Sequence, residues 1–377
     1  MQSYLRYATE KQAEIVAFLR EMVECESPSD SPAAVNRLVD FLIERTQDIA
    51  SGETVAAAGF GKHLRLEFKL SGRPEGQLLA LGHSDTVWPL GTLQNMAFRE
   101  SDRRLWGPGV LDMKAGLAFF IYAMRALRDL NMPVPRKVVL LVVSDEEVGS
   151  PSSRALTEAE AAYSSSVLVL EPGTGLTGKL KTARKGVGSY RIFVEGKSAH
   201  AGVDFPNGAS AILEAARQVL RVAEFTDLAR GTTVNPGVIS GGTRTNVIAS
   251  QARVDVDIRV ASMSDALSLA ERFQALRPVD ERCSIRVEGG LNRPPMERTR
   301  AIEELFLKAR ALGEAMGVAI EESSTGGGSD GNFTAALGVP TLDGLGAVGE
   351  GAHAPNESVL VDRIADRVAL LAGLVAS

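Results

Sequence analysis

Cysteine is scarce in this chain. Cys25 and Cys283 are the only two in 377 residues, which excludes a disulfide scaffold or a cysteine-rich zinc module and suits a reducing compartment. Aromatic residues make up only 5%, too few for the stacking platforms that grip single-stranded nucleic acid. Positive charge is not in excess. Lys plus Arg number 41 against 47 Asp plus Glu, a net charge of −6, which suits neither a nucleic-acid backbone nor an anionic membrane surface. No apolar run is long enough to cross a bilayer, since the longest, Val138 to Val143, is strand-sized. The first ten residues, from Met1 to Glu10, carry no apolar signal region. The expectation is a cytoplasmic protein with no nucleic-acid or membrane partner.

With 45% hydrophobic and 23% charged residues, the composition is that of a globular chain, and the length suggests two domains. Ile15, Phe18, Leu19 and Met22 repeat at helical spacing within 11–24, and a second amphipathic helix is expected over about 32–49. Residues 63–70 alternate as a half-buried strand does, whereas 77–82, 137–143 and 166–170 are continuous apolar runs. Continuous runs suit central strands covered on both faces. With a helix over 114–130 between two of them, this is the grammar of a layered α/β domain. After Glu171 the order changes to strand (187–195), helix (208–224), strand (232–240), strand (246–260), helix (263–277), strand (283–288). That is the split βαβ order of ferredoxin-like α+β domains. From about 297 the α/β pattern returns, with helices at 298–316 and 358–375 around a short strand near 339–342. The expectation is a discontinuous catalytic domain, 1–182 and 294–377, with 183–293 inserted.

The acidic and histidine residues fall where the apolar runs end. His83-Ser-Asp85 follows one strand, Asp145-Glu146-Glu147 the next and Glu171 a third, while Asp112 stands just before a helix. Ligand crevices of open α/β sheets lie beyond the carboxyl ends of the strands. Carboxylates crowded at one edge repel unless a cation holds them. Two of the four histidines, His83 and His353, lie in polar, glycine-rich segments. Mixed imidazole and carboxylate ligands suit zinc, with cobalt or manganese possible, and a carboxylate shared by two ions makes a two-metal site. Such a site needs a further carboxylate to shuttle the proton of its water. Neighbours in an extended segment point to opposite sides, so of Glu146 and Glu147 one can ligate while the other reaches the water. A single acid at a strand end is usually a solvated loop residue; it is the set that argues for a site. His63 has no such context and is taken as a surface or edge-strand histidine.

Six motifs together resemble the M20 family of dinuclear zinc peptidases and deacylases: His83-Ser-Asp-Thr-Val87, Gly109-Val-Leu-Asp-Met-Lys114, Ser144-Asp-Glu-Glu-Val-Gly149, Glu171-Pro-Gly173, Ser198-Ala-His-Ala-Gly202 and His353-Ala-Pro-Asn-Glu357. They occur in family order. Each is weak alone; the ordered set is specific. The resemblance implies that the inserted domain is a lid that also dimerises. It implies two Zn2+ per subunit, one held by His83 and Glu171, the other by Glu147 and His353, with Asp112 bridging. Glu146 would be the general base and then the proton donor, Asp85 would steady the far nitrogen of His83, and a cis peptide would follow Asp112. His200 would act in the partner subunit's site of a homodimer. Asn246 and Arg259 would bind a substrate carboxylate, and Gly328 would line the pocket in the run Gly326-Gly-Gly-Ser-Asp330. Within the family the likeness is nearest to glutamate carboxypeptidases. Lys179, eight residues after Glu171, would face a glutamate side chain, although lysines are mostly surface residues; Arg293 is a weaker pocket candidate. Gly107-Pro-Gly109 and Ala115 depart from the usual family residues without touching a proposed ligand. The activity so implied is hydrolysis of an amide that releases a C-terminal amino acid, most simply glutamate, from a peptide or N-acyl amino acid; the alternative is an N-acyl amino acid deacylase.

Overall fold

A computed structural model describes residues 1–377. The chain divides into two compact units. The first comprises Met1–Ala183, Arg298–Ser324 and Ser329–Ser377; the second comprises Arg184–Glu297 and Thr325–Gly328. The boundaries thus fall one residue later than 182 and four later than 293, and the tip of the glycine run groups with the second unit.

The first unit is built on a six-stranded mixed sheet in the order Ala50–Val55, His63–Phe68, Lys137–Val143, Gln77–His83, Ser164–Val169, Thr341–Leu342. The first two strands are antiparallel to their neighbours, and the other four run parallel. The continuous apolar runs occupy its centre because both faces are covered. Leu78, Ala80, Val138, Leu140 and Val142 pack into one core, with the helices Gln12–Glu24, Ala115–Asp129 and Ile364–Ala376. Alternate residues, Leu79, Leu81, Val139, Leu141 and Val143, pack into a second core with Ala161 and Leu156 of the helix Arg154–Ala162. Side chains of a strand point alternately to opposite faces, so an unbroken apolar run serves two cores at once. Helix Ala115–Asp129 approaches so closely that a Cβ at Gly116 would lie 2.0 Å from the Leu170 carbonyl oxygen. Only glycine fits there.

The parallel register fixes what meets at the carboxyl edge. His83 pairs opposite Val143, and Leu81 lies opposite both Leu141 and Val169. The residues following these strands, including Asp85, Glu146, Glu147 and Glu171, therefore emerge side by side.

The second unit is a four-stranded antiparallel sheet in the order Thr233–Gly241, Gln251–Val260, Gly186–Glu195, Ser284–Arg293. Helices Ala211–Ala223 and Met263–Gln274 complete a β-α-β-β-α-β order. Tyr190 stacks on Phe273, ring centroids 3.8 Å apart, inside its core. The strand expected from 246 begins only at Gln251; the residues before it form a turn.

Candidate metal centre

Asp112 lies where the chain turns from Gly109 into helix Ala115–Asp129. Its backbone is not helical (φ −115°, ψ 95°) and the Asp112–Met113 peptide is cis. Its two carboxylate oxygens face two different imidazoles. Oδ1 lies 3.2 Å from His83 Nε2, and Oδ2 lies 3.3 Å from His353 Nε2. Further carboxylates complete each side. Glu171 Oε1 is 3.6 Å from His83 Nε2, and Glu147 Oε2 is 3.1 Å from His353 Nε2. Two overlapping triads have ligand atoms within 4.8 Å of one another: His83, Asp112 and Glu147, and His83, Glu146 and Glu171. Adjacent residues Glu146 and Glu147 thus serve different triads.

The electrostatics show what the cluster calls for. Burial opposes charge on His83, yet hydrogen bonds to Asp112 and Asp85 hold its imidazolium pKa well above the usual value. Asp112 and Glu147 push His353 up to about 10. Burial alone would raise the Asp112 carboxyl; His353 and His83 bring it well below the usual range. In this arrangement protons on the imidazoles balance the carboxylates. Divalent ions would balance them as well and would leave both imidazoles neutral, the form that ligates. Glu147 Oε1 is buried without a hydrogen-bond partner, a cost that a ligand removes. The donor set therefore fits metal ions.

The supporting groups are as specific. Asp85 reaches His83 chiefly through its backbone: Nδ1 lies 2.9 Å from the Asp85 carbonyl oxygen and 3.5 Å from Oδ1. Its carboxylate mainly accepts other donors. Oδ1 takes the N–H of Glu146 (3.2 Å); Oδ2 takes the N–H of Glu147 (3.2 Å) and the Ser29 hydroxyl (2.7 Å). Ser29, which lies outside all six motifs, is thus a prop of the site. Glu357 is another missed residue. It is fully buried and accepts N–H from Leu111 (2.8 Å) and Asp112 (3.0 Å) on Oε1, and from Gly109 (2.9 Å) and the Trp88 indole (2.8 Å) on Oε2. It holds the loop that carries Asp112. Burial raises its carboxyl pKa despite these four donors. The acidic residue four positions after His353 was visible in its motif, but nothing local told what it grips.

The reading of His63 as a surface or edge residue is corrected. It is 1% exposed, on a strand flanked by others on both sides, with Nδ1 near Ser144 and Nε2 near Ser152. The string Gly327-Gly-Ser-Asp-Gly331 matches the Gly-x-Ser-x-Gly pattern of serine hydrolases. Ser329, however, is buried and its hydroxyl donates to Asp343 (2.7 Å).

In the second unit, His200 is exposed. Its Nδ1 accepts the N–H groups of Gly202 (3.1 Å) and Val203 (3.2 Å), so the neutral ring carries its proton on Nε2. A bridge pairs His200 with Val247, beside exposed Asn246. The Arg259 fork binds both oxygens of Asp257 at 3.0 Å, and its Nη1 donates to Gly326 O (3.3 Å). Arg184 Nη1 donates to the carbonyls of Gly327 (3.1 Å) and Gly328 (2.9 Å). A Cβ at Gly328 would lie 2.7 Å from the Cδ of buried Arg293. Lys179, in the first unit, pairs with Glu321 at 2.7 Å.

Candidate metal ligands at the carboxyl edge of a mixed sheet, with an acid beside them, fit a metal-dependent hydrolase. Comparison with known proteins names the family. Residues 79–377 match the model of peptidase family M20/M25/M40, and the chain belongs to that family. It is 29% identical over 375 residues to carboxypeptidase G2 of Pseudomonas sp. (strain RS-16), covering 98% of this chain and 90% of that one. It is 32% identical over 279 residues to acetylornithine deacetylase of Myxococcus xanthus, covering 68% of each. The YXEP protein of Bacillus subtilis, a dinuclear metal-binding peptidase of the M20 family, superposes with a TM-score of 0.70 at 14% identity over 98% of both chains.

Proposed function

We propose that this hydrolase cleaves an amide bond and releases a C-terminal amino acid, glutamate in the first instance, from a peptide or N-acyl amino acid. The observation that carries the reading is the pairing of each Asp112 oxygen with a different imidazole. It supports Asp112 as the bridge between two ions, with His83 and Glu171 on one side and His353 and Glu147 on the other. Two bound zinc ions would polarise the scissile carbonyl and lower the pKa of water to about 7. Glu146, in the triad with His83 and Glu171, takes the proton of the attacking water. It returns that proton to the amine nitrogen as the C–N bond breaks, leaving a carboxylate and a free amine. Asp85 keeps Glu146 and Glu147 in place through their N–H groups.

His200, with its proton on Nε2, suits donation to the oxyanion of the tetrahedral intermediate. The family resemblance assigns that task to the partner subunit's His200 in a homodimer. Support for a dimer comes from the edge strand Thr233–Gly241 and the helix Ala211–Ala223 that packs on it, where Val238, Ile239, Leu213 and Leu220 are more than half exposed. Asn246 and Arg259 are the candidates for the substrate carboxylate. Arg259 would exchange Asp257 for it, a swap of like partners on one planar fork.

A second reading stands beside the first. The ion pair of Lys179 with Glu321 engages the one group assigned to a glutamate side chain, which favours a deacylase that reads the acyl group, and acetylornithine deacetylase is among the relatives. Initial rates of the metal-loaded enzyme on paired substrates decide between them. N-acetyl and N-aroyl forms of Glu, Asp, Leu, Phe and Arg are set against dipeptides ending in the same residues. Preference for Glu whatever the acyl group supports the carboxypeptidase. Preference that follows the acyl group makes it a deacylase, and no hydrolysis anywhere in the panel refutes both.

A further inference from the structure

His63 belongs to none of the six motifs, yet it touches both ends of the segment that presents Glu146 and Glu147. It opens the strand His63–Phe68 and is almost fully buried. Its Nδ1 lies 3.2 Å from the backbone nitrogen of Ser144. A backbone N–H can only donate, so Nδ1 accepts and the ring proton sits on Nε2. Nε2 lies 3.1 Å from Ser152 Oγ, and that hydroxyl lies 2.7 Å from Asp145 Oδ2. An ionised carboxylate only accepts. Each donor in the chain is therefore fixed: Nε2–H to the Ser152 oxygen, Ser152 O–H to Asp145.

Asp145 closes the turn from inside. Its carboxylate also accepts the N–H groups of Ser152 (2.7 Å) and Ser153 (3.3 Å) and the Ser153 hydroxyl (2.5 Å). Its carbonyl oxygen accepts the Ser150 N–H at 2.8 Å. The residues between these anchors are the 3-10 turn Glu146–Val148 and the bend after it. One imidazole thus spans the mouth of a loop whose tip carries two carboxylates of the metal centre. A leucine of similar size would fill the same space, but it would offer Ser144 no acceptor and Ser152 no donor.

We infer that His63 is a positioning residue, and that its two-sided hydrogen bonding to Ser144 and Ser152 sets the placement of Glu146 as base and Glu147 as ligand. The inference rests on the roles proposed above for those two residues. It predicts a misplaced base and a loosened metal ligand, with substrate affinity kept.

The test uses the full chain in three variants, His63→Leu, His63→Asn and Ser152→Ala, each with two readouts. One is the split between kcat and KM on the best amide of the panel. The other is titration of the metal-free protein with Co2+, followed by its visible absorption, which needs no turnover. Expected for His63→Leu is a fall in kcat of about 10–100-fold with KM within about threefold, and Co2+ affinity weakened by about 10-fold at one of two sites, the scale on which groups behind metal ligands act. His63→Asn, whose amide oxygen can still accept from Ser144, recovers most of both. Ser152→Ala lowers kcat by several-fold and covers the case in which His63→Leu does not fold. Folded His63→Leu with wild-type kcat and wild-type Co2+ titration overturns the inference; so does wild-type behaviour of Ser152→Ala if His63→Leu is insoluble. Failure of the underlying reading looks different. A Glu146→Gln enzyme with wild-type turnover removes the base assignment but leaves the Co2+ arm to judge His63 through Glu147.

Discussion

Outside half-exposed His353 and Lys179 and buried Arg293, the two units hold their candidate site residues in opposite ways. In the first, His83, Asp85 and Glu357 are almost completely buried, and every carboxylate oxygen of Asp85 and Glu357 has at least one donor. In the second, His200 and Asn246 are exposed, and Arg259 is tied only to Asp257 and one loop carbonyl. Placing ligands against mutual repulsion takes many fixed dipoles in a dry setting, where an unpaired polar group is costly. Recognising one end of a mobile substrate takes groups that can change partners. On the roles proposed above, the contrast is between residues whose geometry is set before substrate arrives and residues whose geometry substrate would complete.

Variants separate the two kinds of residue. The largest effect is expected from Glu146→Gln, which keeps fold and metal but loses the proton carrier. Turnover should fall by about 10²–10⁴, with metal content by elemental analysis unchanged; near-wild-type turnover removes Glu146 from the mechanism. Next comes Glu357→Gln, where an amide N–H2 replaces an oxygen that accepts from backbone N–H groups. Two donors then face each other in a buried site. Co2+ affinity should drop by about 10–100-fold, and the melting temperature should fall by several degrees. Neither change would mean that the Asp112 loop holds itself. Arg259→Ala, in the exposed set, should do the reverse. KM should rise by about 10-fold or more with melting temperature and metal content unmoved, because one charge-assisted contact to the substrate is lost. A change in Co2+ titration by Arg259→Ala would break the division between the two sets.

Most residues of the candidate metal centre were legible in the sequence because the information there is local. An acid or histidine directly after an apolar run lands at the sheet edge once the run becomes a strand, and the parallel register aligns the ends. The groups that hold those ligands were not legible. Ser29 is 56 residues from Asp85, His63 is 81 from Ser144, and Glu357 is 245 from Asp112. A pairing over such distances leaves no spacing signal in one chain. His63 also looked unremarkable because the strand it opens alternates as read, with Arg65 and Glu67 between buried Leu64, Leu66 and Phe68, and nothing in that alternation told that its first residue would be buried. The helix Gln2–Glu10 and the hairpin-like strands Arg99–Ser101 and Arg104–Trp106 went unread for a related reason. They are short, and tertiary contacts decide elements of that length.

His63 also gives the comparison a pH dependence. Burial lowers its pKa, against the pull of Asp145, Asp330 and Asp85. In the unfolded chain it titrates near 6.5. Its contribution to stability is therefore complete above about pH 6.5 and is lost as pH falls from there towards the folded pKa, because the unfolded state takes up the proton first. His83 and His353 shift the other way in the metal-free protein, but they do so equally in wild type and in His63→Asn. The difference between the two denaturation curves, recorded with chelator from pH 7.5 down to 5, isolates His63. Wild type should lose up to about 1.4 kcal/mol per pH unit more than the variant below pH 6.5. Parallel curves would show that folding leaves the His63 pKa where it stands in the unfolded chain.

The smallest effects belong to Lys179, and they sharpen the reading of substrate. Its pair with Glu321 joins side chains 40% and 58% exposed, and an ion pair in that setting contributes about 0–1 kcal/mol. Stability therefore should not change measurably in Lys179→Met or Glu321→Gln. Their kinetics decide more. If Lys179 meets a glutamate side chain, Glu321 is its competitor. Removing the competitor should then lower KM for glutamate-ending substrates by a few-fold, while Lys179→Met raises it, and neither should alter KM for leucine-ending ones. If Lys179 is only a surface partner of Glu321, both variants should match wild type on every substrate. A lowered KM in Glu321→Gln is the more telling half, because loss of function has many causes and a gain confined to one side chain has few.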